Sequence, residues 1–375
     1  MAGLTYTLLI DEQPASAEVI EAVQELEVDD SMDRASAFRI RLAMGSTADG
    51  DWSLLADDLF RPLTPVNVKV GIGTTSESLI KGYVTAVEAL FDERPGESSL
   101  EVTGVDASVR MNLEEKVRAW PNKSDADIAE RIFAEYGLDP ETTSTSPTRS
   151  ESETTTTQRG TDIRFLRRLA ARNGYVCYVE TDPSSDAETG VFAPLDLTAA
   201  AQGVLSVRFG EAGNVERFSA HYEMVRPTTA EAGGVGIAGR SVELAQVSST
   251  AETELGADGT LEAITPQPLV RPSGTGLEDA GELQTYCQAV TDRSAWAIRA
   301  TGSLQVGAYG RALRARRPVT VRGAGSLYDG VYLVRRVVHT FSGELYTQEF
   351  ELTRNALGLS GSESFQDTSA LASVG

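Results

Sequence analysis

Histidine and cysteine are nearly absent from this chain of 375 residues, with two of each. Cys177 and Cys287 stand singly in apolar stretches. They offer neither a disulfide framework nor a zinc spacing, and both are expected to be plain buried thiols. His221 and His339 sit in strand-like contexts, FSAHYEM and RVVHTF. No HExxH motif and no G-x-S-x-G elbow occurs, so the short signatures of zinc proteolysis and serine hydrolysis are missing. Long apolar runs are missing too, since none approaches the roughly 20 residues of a membrane-spanning helix. Positive charge is scarce: 33 Lys and Arg face 55 Asp and Glu, for a net charge of -22. That excess argues against a general nucleic-acid binder, which neutralises phosphates with a basic surface. It would instead suit a channel through which DNA or acidic cargo slides without sticking. The opening MAGLTYTLLIDEQP lacks a basic segment and a long apolar core. No secretory signal is therefore read there, and synthesis in the cytoplasm is expected. Export would then be by lysis or by carriage in a particle.

What is present is an ordinary globular composition, 41% hydrophobic, on a chain long enough for two or three domains. The segments 4–10, 37–44, 65–72, 79–91 and 99–106 are β-branched and aromatic, with period-two alternation and turn residues between them. They predict a small closed or nearly closed β barrel. DWSLLADDLFRPL (51–63) predicts a short helix stopped by Pro62. KSDADIAERIFAEYGLDP (123–140) predicts a longer one, capped by Ser124 with Asp127 three residues on and ended by Gly137. The Ser/Thr run 141–160 reads as a loop or an extended edge. TDIRFLRRLAARNGYVCYVE (161–180) predicts a helix, a glycine stop and a strand, and 204–224 predicts two short strands. A second patterned helix covers 278–300, with Leu283, Cys287, Val290, Ser294 and Ala297 on one face. Strands follow at 302–306, 317–323, 330–341 and 344–354, the last two as a hairpin across Ser342 and Gly343. The fold class expected is α+β, mainly β: two β-barrel, tube-like domains with an α/β middle region. The divisions expected are 1–110 for the first barrel, 111–210 for the middle domain and 211–280 for a linking β/loop region. Residues 281–357 hold a helix and the second barrel, and 358–375 form a loose tail.

Three features could carry chemistry. Gly234, Gly236 and Gly239 match G-x-G-x-x-G, but a dinucleotide site needs a helix after the turn, and RSVELAQVS reads as a strand. Acidic clusters such as VDDSMD (28–33) and ADD (56–58) could pair for glycoside hydrolysis. In a chain this acidic the default is a solvated face. The third feature is a basic helix face. Arg164, Arg168 and Arg172 fall on one line at i, i+4 and i+8, with Arg167 beside them, opposite Ile163, Leu166, Leu169 and Ala170. Either it is solvated, or it pairs with acidic surface on another domain or subunit, for which the planar arginine fork is suited. A second basic run, 309–323, could serve likewise.

These motifs fall in a familiar order. Gly82-Tyr83-Val84, Gly104-Val105-Asp106 and the helix from Asp127 to Leu138 come first. Asp162, Phe165, Leu166, Arg168, Leu169, Ala170, Gly174 and Tyr175 form the next group. Pro318, Val321, Gly323, Gly330, Tyr332, Val334, His339, Tyr346, Phe350, Arg354 and Asn355 form the last. The pattern resembles the baseplate hub family of contractile phage tails, late control protein D, related to the hub portion of VgrG in type VI secretion. The resemblance covers about 65–180 and 280–357. The chain shows no following OB domain and no repetitive β-helix spike, so the spike is expected to be a separate protein.

The resemblance implies a structural homotrimer in a phage virion or contractile injection particle. Two tube-like domains per chain would make a pseudo-sixfold ring that adapts a sixfold tail tube to a threefold spike. The partners it implies are the tail tube protein, the spike protein and the baseplate wedge proteins, with no specific nucleic-acid binding and no stable membrane insertion. It implies no catalytic residue, no cofactor and no metal, and leaves Arg164, Arg167, Arg168 and Arg172 as interface candidates. The readings set against it are a tail-associated cell-wall or glycan hydrolase and a multi-barrel glycan-binding module.

Overall fold

Alternation of apolar and polar residues builds the first β unit. It comprises β1 (Leu4–Ile10), the short β2 (Gln13–Pro14), α1 (Ala17–Ala22), β3 (Val23–Ser31), β4 (Ala37–Ala43), β5 (Pro65–Ile72), β6 (Thr75–Leu90) and β7 (Ser99–Asp106). In β4, Phe38, Ile40 and Leu42 are buried while Arg39 and Arg41 face outward. In β5, Val66, Val68 and Val70 do the same. The computed structural model describes residues 4–366 except 48–49, 56–58, 95, 150, 152–154, 209, 237–240, 274–276 and 278. The helix expected over 51–63 does not form in its described part. An isolated bridge, Ser46 to Trp52, and turns take its place, and residues 56–58, the ADD cluster, lie outside the described residues.

The middle region is α/β. It holds β8 (Glu115–Trp120), α2 (Asp125–Glu135), β9 (Asp139–Thr142), β10 (Thr156–Thr161), α3 (Asp162–Asn173), β11 (Val176–Thr181) and β12 (Glu188–Ala193). Ser124 and Asp127 form the expected reciprocal capping box at the start of α2. Gly174 ends α3 in the left-handed region at φ +72° and lets the chain turn directly into β11. Ile128, Ile132, Phe133, Phe165, Leu166, Leu169, Cys177 and Phe192 pack between these elements. The Ser/Thr run supplies extended edges at both ends, β9 beside β12 and β10 beside β8.

The remaining chain forms β13 (Val204–Ser206), β14 (Arg217–Tyr222), β15 (Thr229–Gly236), β16 (Ser241–Val247), β17 (Asp258–Gly259), β18 (Leu269–Val270), α4 (Ala280–Ala295), β19 (Ile298–Gln305), α5 (Val306–Tyr309), β20 (Pro318–Arg322), β21 (Gly330–Ser342), β22 (Leu345–Arg354) and β23 (Ala356–Leu357). Leu283 and Cys287 of α4 bury as expected, against the β15–β16 hairpin. The whole is mainly β with few helices. The two β units join into one 13-stranded sheet, ordered β14-β19-β22-β21-β3-β4-β7-β6-β5-β1-β2, with β20 and β13 branching from β21. They share one hydrophobic core.

The second unit repeats the first. Its sheet order β14-β19-β22-β21-β20 matches β3-β4-β7-β6-β5 strand for strand. Pro65 faces Tyr83 as Pro318 faces Leu333. Each long strand carries an irregularity at the same place, between Val84 and Ala86 and between Val334 and Arg336. Just before β5 and β20, Leu63 (φ +64°) and Arg316 (φ +65°) both adopt the left-handed conformation, uncommon outside glycine. Their N–H groups donate to Val84 O at 2.8 Å and Val334 O at 2.7 Å. Such shared irregularities are stronger marks of repetition than shared strands, because chance seldom places a bulge and a strained turn together.

Candidate assembly site

The seam between the repeats is built around a buried ion pair. The VDDSMD segment is a solvated acidic face only in part. It begins in the end of β3, where Asp29 faces outward, but Asp30 within it is buried. Arg316, in the left-handed turn before β20, donates to Asp30 Oδ1 at 2.6 Å and to Ser31 O. Asp30 also accepts from Ala315 N at 2.9 Å and Ser36 Oγ at 3.0 Å. Burial alone would raise the Asp30 carboxyl, but Arg316, the Ala315 N–H and Arg314 together hold it below the ordinary range. The Arg316 guanidinium lies 4.4 Å from the centre of the Tyr178 ring, and Arg317 reaches Glu180 at 3.1 Å. The corner therefore ties both repeats and β11 of the middle region together. Arg314 adds a further tie, donating to Leu79 O and Glu77 at 3.1 Å. The basic run 309–323 is thus spent largely on contacts within the chain.

The arginines of α3 part company. Arg172 pairs with Asp125 at the start of α2, its Nε 2.6 Å from Oδ2. Arg168 donates to Arg159 O at 2.7 Å yet stays exposed, as does Arg164. Arg167 is half-buried near Cys177. Burial pushes the Cys177 thiol up to about 12, so it is inert as a nucleophile. The acid that opens α3, Asp162, is almost fully buried and binds Lys116 Nζ and Tyr136 Oη, each at 2.6 Å. It joins β8, α2 and α3, a structural task that the sequence motif marks without explaining. Asp106 has a similar task. It caps the turn after β7 by accepting from Ser108 N at 2.9 Å, and accepts from Ser36 N at 2.6 Å.

No described cluster has the makings of a metal site. His339 is wholly buried, with Nδ1 2.7 Å from Tyr346 Oη. Burial, then the nearby Arg314, depresses it to about 3, so it is a neutral core side chain at pH 7. Gly234 and Gly236 lie on β15, which is followed by a strand, while Gly239 lies outside the described residues. A Cβ on Gly234 would stand 2.6 Å from Leu277 O and 2.9 Å from Leu283, so close packing on α4 accounts for that glycine. Among the described residues no helix is long and apolar enough to cross a membrane.

Sequence reasoning missed one acidic pair. Glu252 and Asp292 line a cleft beside Tyr175 and Trp296. Both are satisfied locally: Glu252 accepts from Trp296 Nε1 at 2.7 Å, and Asp292 accepts from Ala251 N at 2.8 Å. Burial, with Asp292 adding to it, raises the Glu252 carboxyl to about 7. The folded protein thus holds this proton more tightly than the unfolded chain. Its contribution to stability is full below about pH 4.5 and is lost as pH rises through about 7. Glu252→Gln, which keeps an acceptor for Trp296, should remove that loss. It is expected to melt higher than the parent at pH 8, by on the order of 2 kcal/mol, and to lose the advantage at pH 4.5. Equal offsets at both pH values in thermal melts would refute the assignment.

Solved structures share this fold over more than nine-tenths of the chain. A tail protein from Neisseria meningitidis MC58 superposes with a TM-score of 0.65 at 13% identity, over 94% of this chain and 97% of that one. The 43 kDa tail protein of prophage MuSo2 from Shewanella oneidensis gives 0.64 at 15% identity, over 95% and 100%. An E. coli component of the type VI secretion system, described as similar to the T4 bacteriophage tail proteins gp27 and gp5, gives 0.58 at 13% identity, over 92% and 76%. At such identities the likeness is one of fold, and the fold is that of phage-tail and type VI secretion proteins. No curated protein matches the chain. A family model does: the one described as Alg8 N-terminal domain matches residues 2–343, which take in the first β unit, the middle region and most of the second unit, and the chain belongs to that family.

Proposed function

We propose that this chain is a structural hub subunit of a contractile tail or tail-derived injection machine. Three copies form a ring that meets a sixfold tail tube on one side and a threefold spike on the other, with baseplate wedge proteins around it. The observation that carries this reading is the internal repeat. Two matched β units per chain give three chains six equivalent positions, which reconciles sixfold and threefold neighbours by closed cyclic symmetry. The fold shared with tail proteins supports it.

Charge supports it as well. The face of the sheet turned away from the core carries Glu25, Glu27, Asp29, Glu101, Glu349 and Glu351, tempered by Arg39, Arg41 and Arg336. This face lines the lumen, where net negative charge keeps DNA and acidic cargo from adhering. Arg164 and Arg168, exposed on α3, meet acidic surface of a neighbouring subunit or baseplate protein.

Light scattering across a wide concentration range, with electron microscopy of the same sample, tests the reading. A three-chain species with ring-shaped projections is expected, and Arg168→Glu should weaken it while leaving the fold intact. A monomer at every concentration, or turnover of peptidoglycan by the purified chain, would overturn it.

A further inference from the structure

The two repeats differ in one respect. In the second repeat, β21 leaves β20 at its bulge and pairs onward with β3, from Arg336–Ser31 to Phe341–Leu26. In the first repeat, β6 leaves β5 at the equivalent place, and among the described residues no strand takes up the edge it vacates. The consequence shows in burial. Val337 and Phe341 are 0% and 6% exposed, whereas Val87 and Phe91, the residues at the same positions in the first repeat, are 41% and 55% exposed. The counterpart of β3 is also at an edge: among the described residues β14 pairs with β19 alone and presents its other edge at the end of the sheet.

We infer that β14 of one copy of this chain pairs antiparallel with the β6 end, residues 86–91, of a second copy, repeating between chains the β3–β21 seam found within each. The inference rests on the ring reading and specifies its contact. Transferring the internal register sets Phe218 opposite Phe91, Ala220 opposite Ala89 and Tyr222 opposite Val87. Phe218, Ala220, Tyr222 and Ala89 already pack against the shared core, so every pair on that face joins apolar to apolar. On the other face Glu88 meets His221, and Leu90 meets Ser219. A slip of one residue would set Phe91 against Ser219 and destroy the match, because side chains alternate between faces. The pairing also removes two open strand edges from the particle surface. It joins unlike edges head to tail, the kind of contact that closes into a ring.

The test is a cysteine pair in the full-length chain. Leu90→Cys with Ser219→Cys places two thiols on directly opposed residues, while the native cysteines are both buried. Mild oxidation should give disulfide-linked ladders that end at a closed three-chain species and collapse on reduction. Leu90→Cys with Ala220→Cys, one residue out of register and on opposite faces, should give at least about tenfold less. Three-chain particles by light scattering without this disulfide would overturn the strand pairing and leave the ring reading standing. No association of any kind would overturn both. Equal crosslinking by the two pairs would overturn the register.

Discussion

Arg316→Ala is expected to destabilise the chain by about 3–5 kcal/mol, the usual effect of removing one partner from a buried ion pair. Three losses combine. Asp30 would keep a buried charge with hydrogen bonds from Ala315 N and Ser36 Oγ and the field of Arg314 in place of its direct partner. Ser31 O would lose its donor at the edge of β3. Tyr178 would lose the guanidinium over its ring, leaving Arg317 to Glu180 as the tie from that corner to β11. The left-handed backbone at position 316 adds nothing to the change, since alanine is strained there as arginine is. Urea unfolding gives the measurement. A loss below about 1 kcal/mol would mean that the pair is as replaceable as a surface salt bridge. The double variant Asp30→Asn, Arg316→Met should recover part of the loss, because removing both charges removes the desolvation penalty along with the attraction.

That corner also shows where sequence reading stops. Strands whose alternation is apolar against polar, such as β1, β5 and β7, are legible almost to the residue. β3 is not. Its outward residues Glu25, Glu27 and Asp29 and its inward Asp30 break the apolar alternation that marks a strand, and aspartate is poor in strands. What makes it a strand is pairing with β21, some 300 residues on, and an arginine that no local pattern can match to Asp30. The helices read better, since caps are local: Ser124 with Asp127, and Gly174, act where their spacing predicts. The repeat escapes a search for fixed periods because the middle region is inserted between its halves and the strand spacings differ. It emerges only from register, bulge and left-handed turn. Among the basic residues of α3, the pattern 164, 168, 172 gives one line of arginines, of which Arg164 and Arg168 are exposed and Arg172 is half-buried. It cannot show that Arg172 has an acid waiting on α2.

Arg354→Ala is expected to be as damaging, for a different reason. Arg354 is fully buried at the end of β22, yet its nearest partners are backbone carbonyls. Nε donates to Leu255 O and Nη1 to Asp329 O, each at 2.9 Å, and Nη2 to Gly358 O. The Tyr332 ring lies 5.3 Å from the guanidinium carbon. One planar group thus pins three separate loops, and burial, though eased by Tyr332, holds its pKa below the usual arginine value. The site is shaped for it. A Cβ on Gly330 would stand 2.5 Å from Nη2 and one on Gly256 2.6 Å, so both glycines make room for the fork. Asn355 extends the clamp, accepting from Leu255 N at 2.9 Å and donating to Thr253 O at 3.0 Å. Alanine at 354 would leave one buried and two partly buried carbonyls without their donor and a cavity the size of the side chain, a loss of about 3–5 kcal/mol. Lysine should rescue little, because a single ammonium cannot span three carbonyls set around a plane. Arg354→Lys retaining within about 1 kcal/mol of parental stability in urea would show that charge, not the fork, holds the loops. The expected failure of both variants would give the Arg-Asn pair at the end of β22 a physical meaning: it locks the loops around the end of the second repeat.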